Sequence, residues 1–117
     1  MLVVNRFVVD DEPTFTSRAR AALAALAGRP GYRSGSFGRS VDEPDHWCLV
    51  TRWESVGAYR RALSAFEVKV EATPLLAESL DEPSAYEVLL EGEPGGNVTA
   101  TRSDRATNQP PPLPSQS

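Results

Sequence analysis

One cysteine, one histidine and one methionine in 117 residues leave this chain few of the side chains that carry metal, redox or nucleophilic chemistry. A lone Cys48 excludes an intrachain disulfide framework. Cys48 and the lone His46 together cannot build a thiolate zinc site or a His-rich catalytic metal centre, so no metal site is expected. Positive charge is short as well, with 12 Lys+Arg against 16 Asp+Glu and a net charge of −4. Eleven of the twelve cations are arginine, scattered along the chain, which reads as base composition and not as a functional cluster. The absence of a basic face excludes nucleic acid as the main partner. Long hydrophobic runs are missing too. Asn5 and Arg6 interrupt the opening MLVVNRFVVDD, so neither a signal peptide nor a membrane span is expected, and the expected location is cytoplasmic. Without a secretion signal, the Asn97-Val98-Thr99 glycosylation match reads as chance.

What is present suits one small domain. Hydrophobic residues make up 40% and charged residues 24%. Residues 1–91 carry nearly all the aromatic and branched aliphatic side chains and form the expected domain. Residues 92–117 are mostly Gly, Ser, Thr, Asn and Pro, with two Arg, one Asp, one Glu and two Gln and only Val98, Ala100, Ala106 and Leu113 apolar, and read as a disordered tail. Its Pro110–Pro114 stretch offers a docking peptide as the sharper alternative.

Within the domain, Leu2–Val9 reads as a strand. Asp11 or Thr14 is placed to cap a helix, with Pro13 tolerated in its first turn. Phe15, Ala19, Ala22, Leu23 and Leu26 then fall at helical spacing up to Gly28. Pro30-Gly31 forces a turn into a weak strand, Tyr32–Val41. Gly35 and Gly38 inside it suggest a bulge or a close approach of another backbone or ligand. His46–Trp53 is the strongest strand signal. A second helix follows from Ser55 to about Leu63, and its pattern resumes from Phe66 to Leu80 with a break at Pro74. Ala85–Glu91 closes the set. The order β-α-β-β-α-β makes an α+β, ferredoxin-like antiparallel sheet with helices on one face.

Two helices cover one face of such a sheet, and the other face of a monomer should be polar. Here both faces carry apolar side chains. Trp47, Leu49, Thr51 and Trp53 oppose Cys48 and Val50, and Leu2, Val4 and Val8 oppose Val3, Phe7 and Val9. The expectation is a homodimer that pairs two sheets into a dimeric α/β barrel.

Several segments resemble the antibiotic biosynthesis monooxygenase (ABM) family. Thr51-Arg52-Trp53-Glu54-Ser55 is similar to the family's Trp-Glu-Ser segment. Ala58-Tyr59 is similar to the Ala-aromatic pair of the following helix, and Pro30-Gly31-Tyr32 to the turn into the second strand. Asn5-Arg6 is similar to the same pair in haem-degrading members. The resemblance covers about residues 2–91 and implies a dimeric barrel with a pocket between helices and sheet. For the haem-degrading branch it also implies a helix Trp and an iron-ligating His, but those positions fall on Ala62 and near Glu71. A carboxylate is a poor replacement for imidazole, so that branch fits worse.

The cofactor-independent branch needs no cofactor, because a deprotonated phenolic or polyketide-like substrate is itself the electron donor. Its protein supplies a dry apolar pocket and hydrogen-bond donors aimed at the oxyanion. Asn5, Phe7, Trp53 and Tyr59 are the candidate pocket residues, with Asn5 the catalytic candidate. Each also has a plainer reading. The Asn5 amide could satisfy a structural hydrogen bond to a helix, and Trp53 and Tyr59 could be core aromatics. Arg6, on the opposite face, is expected to pair with a carboxylate across the dimer interface. His46 reads as an exposed loop-edge histidine and Cys48 as a small buried hydrophobe. Glu67 and Glu71 read as a solvated helix face. The expected function is therefore a monooxygenase acting on a small hydrophobic or aromatic molecule. The alternative is a barrel of the same shape that binds such a molecule without chemistry.

Overall fold

The structure is a computed structural model and describes residues 1–101. They fall into two units, Met1–Tyr86 and a segment beginning at Glu87. The first unit runs β1 (Leu2–Val8), α1 (Glu12–Ala27), β2 (Tyr32–Arg39), β3 (His46–Trp53), α2 (Val56–Leu63), α3 (Phe66–Glu71), α4 (Thr73–Leu76) and β4 (Ala85–Tyr86). Its four strands form one antiparallel sheet in the order β2-β3-β1-β4. This is the ferredoxin-like α+β arrangement that the element order implied.

Local chemistry explains the boundaries. The Asp11 carboxylate accepts from the Thr14 N–H at 3.3 Å and from its hydroxyl at 2.9 Å, which caps α1. Pro13 lies in the first turn, where its missing donor costs nothing. Gly31 turns the chain into β2 with φ of 88°, and a Cβ there would sit 2.4 Å from that of Ala58. This turn therefore needs glycine twice over, for its dihedral and for its contact with α2. The Ser55 hydroxyl caps α2 by accepting from the Ala58 N–H at 3.0 Å. The helical pattern after Phe66 resolves into two short helices, because Pro74 opens the first turn of α4 while α3 stops at Glu71.

Two strand expectations are corrected. β2 ends at Arg39, short of Val41, and its register shift falls between Tyr32 and Ser34, before the two glycines. Gly35 instead accommodates side chains. A Cβ there would meet the Tyr32 hydroxyl at 2.5 Å and Leu23 Cδ1 at 2.9 Å. The last strand, expected over Ala85–Glu91, is only Ala85–Tyr86. Its pairing Leu2↔Tyr86 reaches the first residue of β1, so no partner strand remains beyond it. Before it, Leu80 N–H donates to Arg6 O at 2.8 Å and Val4 N–H to Ser84 O at 2.7 Å. Pro83 between them has no N–H to extend a regular ladder.

The second unit also differs from expectation. β5 (Leu90–Gly92) and β6 (Val98–Ala100) form a hairpin where disorder was expected from Gly92 onward. Gly95 and Gly96 take φ of 99° and 95°, and Glu93 N–H donates to Asn97 O at 2.8 Å across the turn. Every side chain of the ribbon strands is exposed, so backbone pairing and turn glycines form it without a core. The Pro110–Pro114 stretch lies outside the described residues.

The core fills the space between the sheet and the helices. Val3, Phe7, Leu49 and Trp53 project from the strands onto Leu26 of α1, Val68 of α3 and Leu75 of α4, all nearly free of solvent. Each such side chain contributes roughly 1.5–3 kcal/mol of burial. The other side of the sheet carries half-buried Leu2, Val4, Cys48 and Val50 together with exposed Arg6, Val8 and Arg52. A single chain leaves that face without a helical layer, and its sheet is open and not a closed barrel. Among the described residues no helix is long and apolar enough to cross a membrane.

Candidate functional site

Asn5 is the polar exception on the helix-facing side of the sheet. Period-two alternation puts it in line with Val3 and Phe7, opposite Leu49 of β3. It is 6% exposed, and its amide makes no hydrogen bond with another described residue. The structural hydrogen bond to a helix is therefore absent, and the amide is left available. Thr51, the other buried polar residue there, is satisfied because it accepts from Trp53 Nε1 at 2.8 Å.

Two aromatic groups pack on the same side of the sheet. At one end Trp53 packs edge-on against Tyr32 and tilted against Tyr59, each at 5.4 Å between ring centroids. Burial pushes both tyrosine phenols above their ordinary value, so both stay protonated and act as donors at neutral pH. At the other end Phe7, Phe15, Phe37 and Trp47 form a chain with centroid spacings of 5.0, 5.9 and 5.1 Å.

A cavity of about 540 Å³ opens between α1 and β2. Its wall is Thr16, Ala19, Arg20, Leu23, Ala24 and Ala27 of α1, with Tyr32 and Phe37 of β2. The volume falls in the range of small-molecule sites. None of Asn5, Phe7, Trp53 and Tyr59 belongs to this wall. They form the layer behind it: Trp53 supports Tyr32, Phe7 meets Phe15 beside Phe37, and Leu49 separates Asn5 from Phe37 in the strand register. Apart from Ala19, which belongs to both, the cavity residues of α1 lie beside its buried stripe. Thr16, Arg20, Leu23 and Ala27 keep helical spacing, and that second stripe was the signal for them in the sequence.

A smaller groove of about 310 Å³ lies around Arg6, Gly38, Arg39, His46 and Cys48 at one end of the sheet. Arg6 is engaged within its own chain, contrary to the expected pairing across an interface. Its Nε and Nη2 donate to the two Glu82 carboxylate oxygens at 2.8 and 2.7 Å, which raises the guanidinium and lowers the carboxyl from their ordinary pKa values. The backbone bond from Leu80 to Arg6 brings Glu82 within reach. His46 sits 3.0 Å from Asp45 and 3.1 Å from Glu43, as a surface histidine at a strand start. Cys48 is half-buried and unpaired. Of the positions implied by the haem-degrading branch, Ala62 is buried in α2 and Glu71 is exposed at the end of α3. Among the described residues no group of three or more His, Cys, Asp or Glu is placed to hold a metal ion.

A one-sided helical layer on a β2-β3-β1-β4 antiparallel sheet, with a cavity between its first helix and β2, defines a ferredoxin-like α+β domain. The family model described as antibiotic biosynthesis monooxygenase matches residues 1–70, and the chain belongs to that family. Among solved structures, a variant of SnoaB, a cofactor-independent oxygenase from Streptomyces nogalater, is 30% identical. It matches with a TM-score of 0.60 over 68% of this chain and 82% of that one. A second SnoaB structure is 26% identical, with a TM-score of 0.59 over 87% of this chain and 92% of that one. A conserved protein from Methanosarcina mazei shares the fold at 16% identity, with a TM-score of 0.59 over 88% of this chain and 91% of that one. No curated protein sequence matches significantly.

Proposed function

We propose that this chain is a cofactor-independent monooxygenase acting on a small phenolic or polyketide-like aromatic molecule, and that it works as a homodimer. The observation that carries the reading is the Asn5 amide, nearly buried on the helix-facing side of the sheet and without a hydrogen-bond partner among the described residues. A ligand that takes up this amide's hydrogen bonds replaces those the amide makes to solvent. Family membership and the likeness to SnoaB support the chemistry.

In this reading a phenol loses its proton and the phenolate passes electrons to O₂. At an unsubstituted ring carbon para to the oxygen, one oxygen atom becomes a quinone carbonyl. The C–H and O–O bonds break, and the other oxygen leaves as water. Phenol plus O₂ thus balances quinone plus water. With the ring drawn into the layer behind the cavity wall, where Asn5 lies, the Asn5 NH₂ donates to the phenolate oxygen. Tyr32 and Tyr59, held protonated, are donors and not bases.

The dimer rests on the sheet face that the helices leave uncovered. Half-buried Leu2, Val4, Cys48 and Val50 there suit a second copy of the same face. Light scattering behind sizing chromatography should give twice the chain mass, and Val50→Glu should give the single-chain mass.

One observation favours the non-catalytic reading: no carboxylate or imidazole lines the cavity, so the chain offers no base there for the phenol proton. Oxygen uptake separates the two. Protein stripped of flavin and metal is assayed with hydroquinones and polycyclic phenols, wild type beside Asn5→Ala. Cofactor-free uptake that falls about tenfold or more in Asn5→Ala supports the oxygenase. Ligand-induced thermal stabilisation without uptake supports the binding protein.

A further inference from the structure

α4 ends at Leu76 and β4 begins at Ala85, so residues 77–84 carry the chain from the helical layer to the edge of the sheet. Their path follows β1. Leu80 N–H donates to Arg6 O at 2.8 Å and Val4 N–H to Ser84 O at 2.7 Å, which puts Asn5 between the two attachment points. Five residues of this strap, 80–84, thus face three of β1, and the strap bows away from the strand beside Asn5. No backbone hydrogen bond joins 81–83 to β1, and Pro83 has no N–H to give. The strand order makes the strap the immediate neighbour of β1 at Asn5, whereas β2, with its part of the cavity wall, lies two strands away.

Polar links alone hold the strap. Its two hydrophobic residues, Ala77 and Leu80, stand outside the core cluster, and Leu76 is the last residue before it that packs there. Two ion pairs clamp it. Glu82 accepts from Arg6 Nε and Nη2 on β1, and Glu78 pairs with Arg18 on α1. Between 32% and 51% of each of these four side chains is exposed, so water and salt weaken both pairs. Lifting the strap breaks two backbone bonds and two exposed ion pairs and uncovers no core side chain. Segments held in this way open far more readily than the fold as a whole.

We infer that residues 77–84 are a latched strap over the β1 side of the gap between helices and sheet, and that lifting it is the route by which a small aromatic ligand reaches Asn5. Glu82 and Glu78 are its latches. The inference rests on the oxygenase reading only in taking Asn5 as the group a ligand must meet.

Hydrogen exchange on the intact chain reads the opening directly. The Val4 and Leu80 amides, which donate across the seam, should exchange about tenfold or more faster than amides of the β1–β3 ladder. Glu82→Gln, Glu78→Gln and high salt should each quicken the two seam amides about twofold to fivefold, the range of one exposed ion pair, and leave the ladder amides unchanged. Glu12→Gln removes the exposed pair with Arg39, away from the strap, and should alter neither set. Access to Asn5 is read by iodoacetamide alkylation of a Cys48→Ser chain carrying Asn5→Cys, with thermal melts confirming that it is folded. Exchange of the Asn5 side-chain NH₂ reads the same access without that substitution. Glu82→Gln should speed both by the same factor as exchange at Val4. Seam amides that exchange as slowly as the ladder overturn the latch. Access to position 5 that is indifferent to Glu82→Gln overturns the route under the strap. These readouts use neither substrate nor oxygen, so either failure leaves the oxygenase reading standing, and a failure of oxygen uptake leaves the strap.

Discussion

The indole N–H of Trp53 donates to the Thr51 hydroxyl two residues earlier on the same face of β3, at 2.8 Å, with Thr51 2% and Trp53 1% exposed. Removing the acceptor leaves a buried donor without a partner. Thr51→Val, nearly the same shape, should destabilise the fold by roughly 1–3 kcal/mol in urea unfolding, and Thr51→Ser should cost less. The Trp53 fluorescence maximum should also shift in Thr51→Val as the ring loses its anchor.

Asn5 gives the opposite stability prediction. No protein hydrogen bond is lost when its amide is removed. Asn5→Leu, which keeps the same branched outline without the amide, should therefore leave the melting temperature unchanged or raise it, while oxygen uptake falls about tenfold or more. A loss of stability comparable to that of Thr51→Val would show that the amide is a structural member of the core.

Gly31 combines a left-handed backbone with a contact. At φ of 88°, and with a Cβ placed 2.4 Å from that of Ala58, Gly31→Ala forces the turn away from α2. The expected cost is about 2–4 kcal/mol, from the dihedral and from overpacking together. Ala58→Gly in the same chain should recover part of it, since it removes the clashing methyl but not the strain. Denaturant midpoints of the single and double variants measure the coupling.

Alkaline stability follows from the buried phenols. Desolvation raises the Tyr59 pKa in the folded chain, and Tyr32 shifts in the same direction. The folded state then holds protons that the unfolded chain releases above about pH 10. Their contribution is complete below that pH and is lost as pH rises toward the folded-state values. Stability should fall steeply above about pH 10, and Tyr59→Phe should flatten the decline. Chemical denaturation across neutral to alkaline pH provides the check.

Much of the fold was legible because it rests on local chemistry. Two-residue alternation in β1 and β3, the Asp11 and Ser55 caps, the Pro30-Gly31 turn and the break at Pro74 are each decided within a few residues. The same alternation placed Asn5 on the helix-facing side and Arg6 on the other. Tertiary structure decided what depends on partners distant in sequence. β4 stops at Tyr86 because β1 begins at Leu2, and nothing within Ala85–Glu91 encodes that limit. Arg6 meets Glu82, 76 positions away, because the segment before β4 runs alongside β1. The cavity arises where the second stripe of α1 diverges from β2, and only that packing brings Arg20 and Tyr32 to one wall. The sequence by itself determined the elements, their order and the inward face of each strand, since neighbouring residues set those. Which side chains surround an empty volume was decided by the tertiary structure, because the angle and separation of packed elements are sums over contacts that no single segment contains.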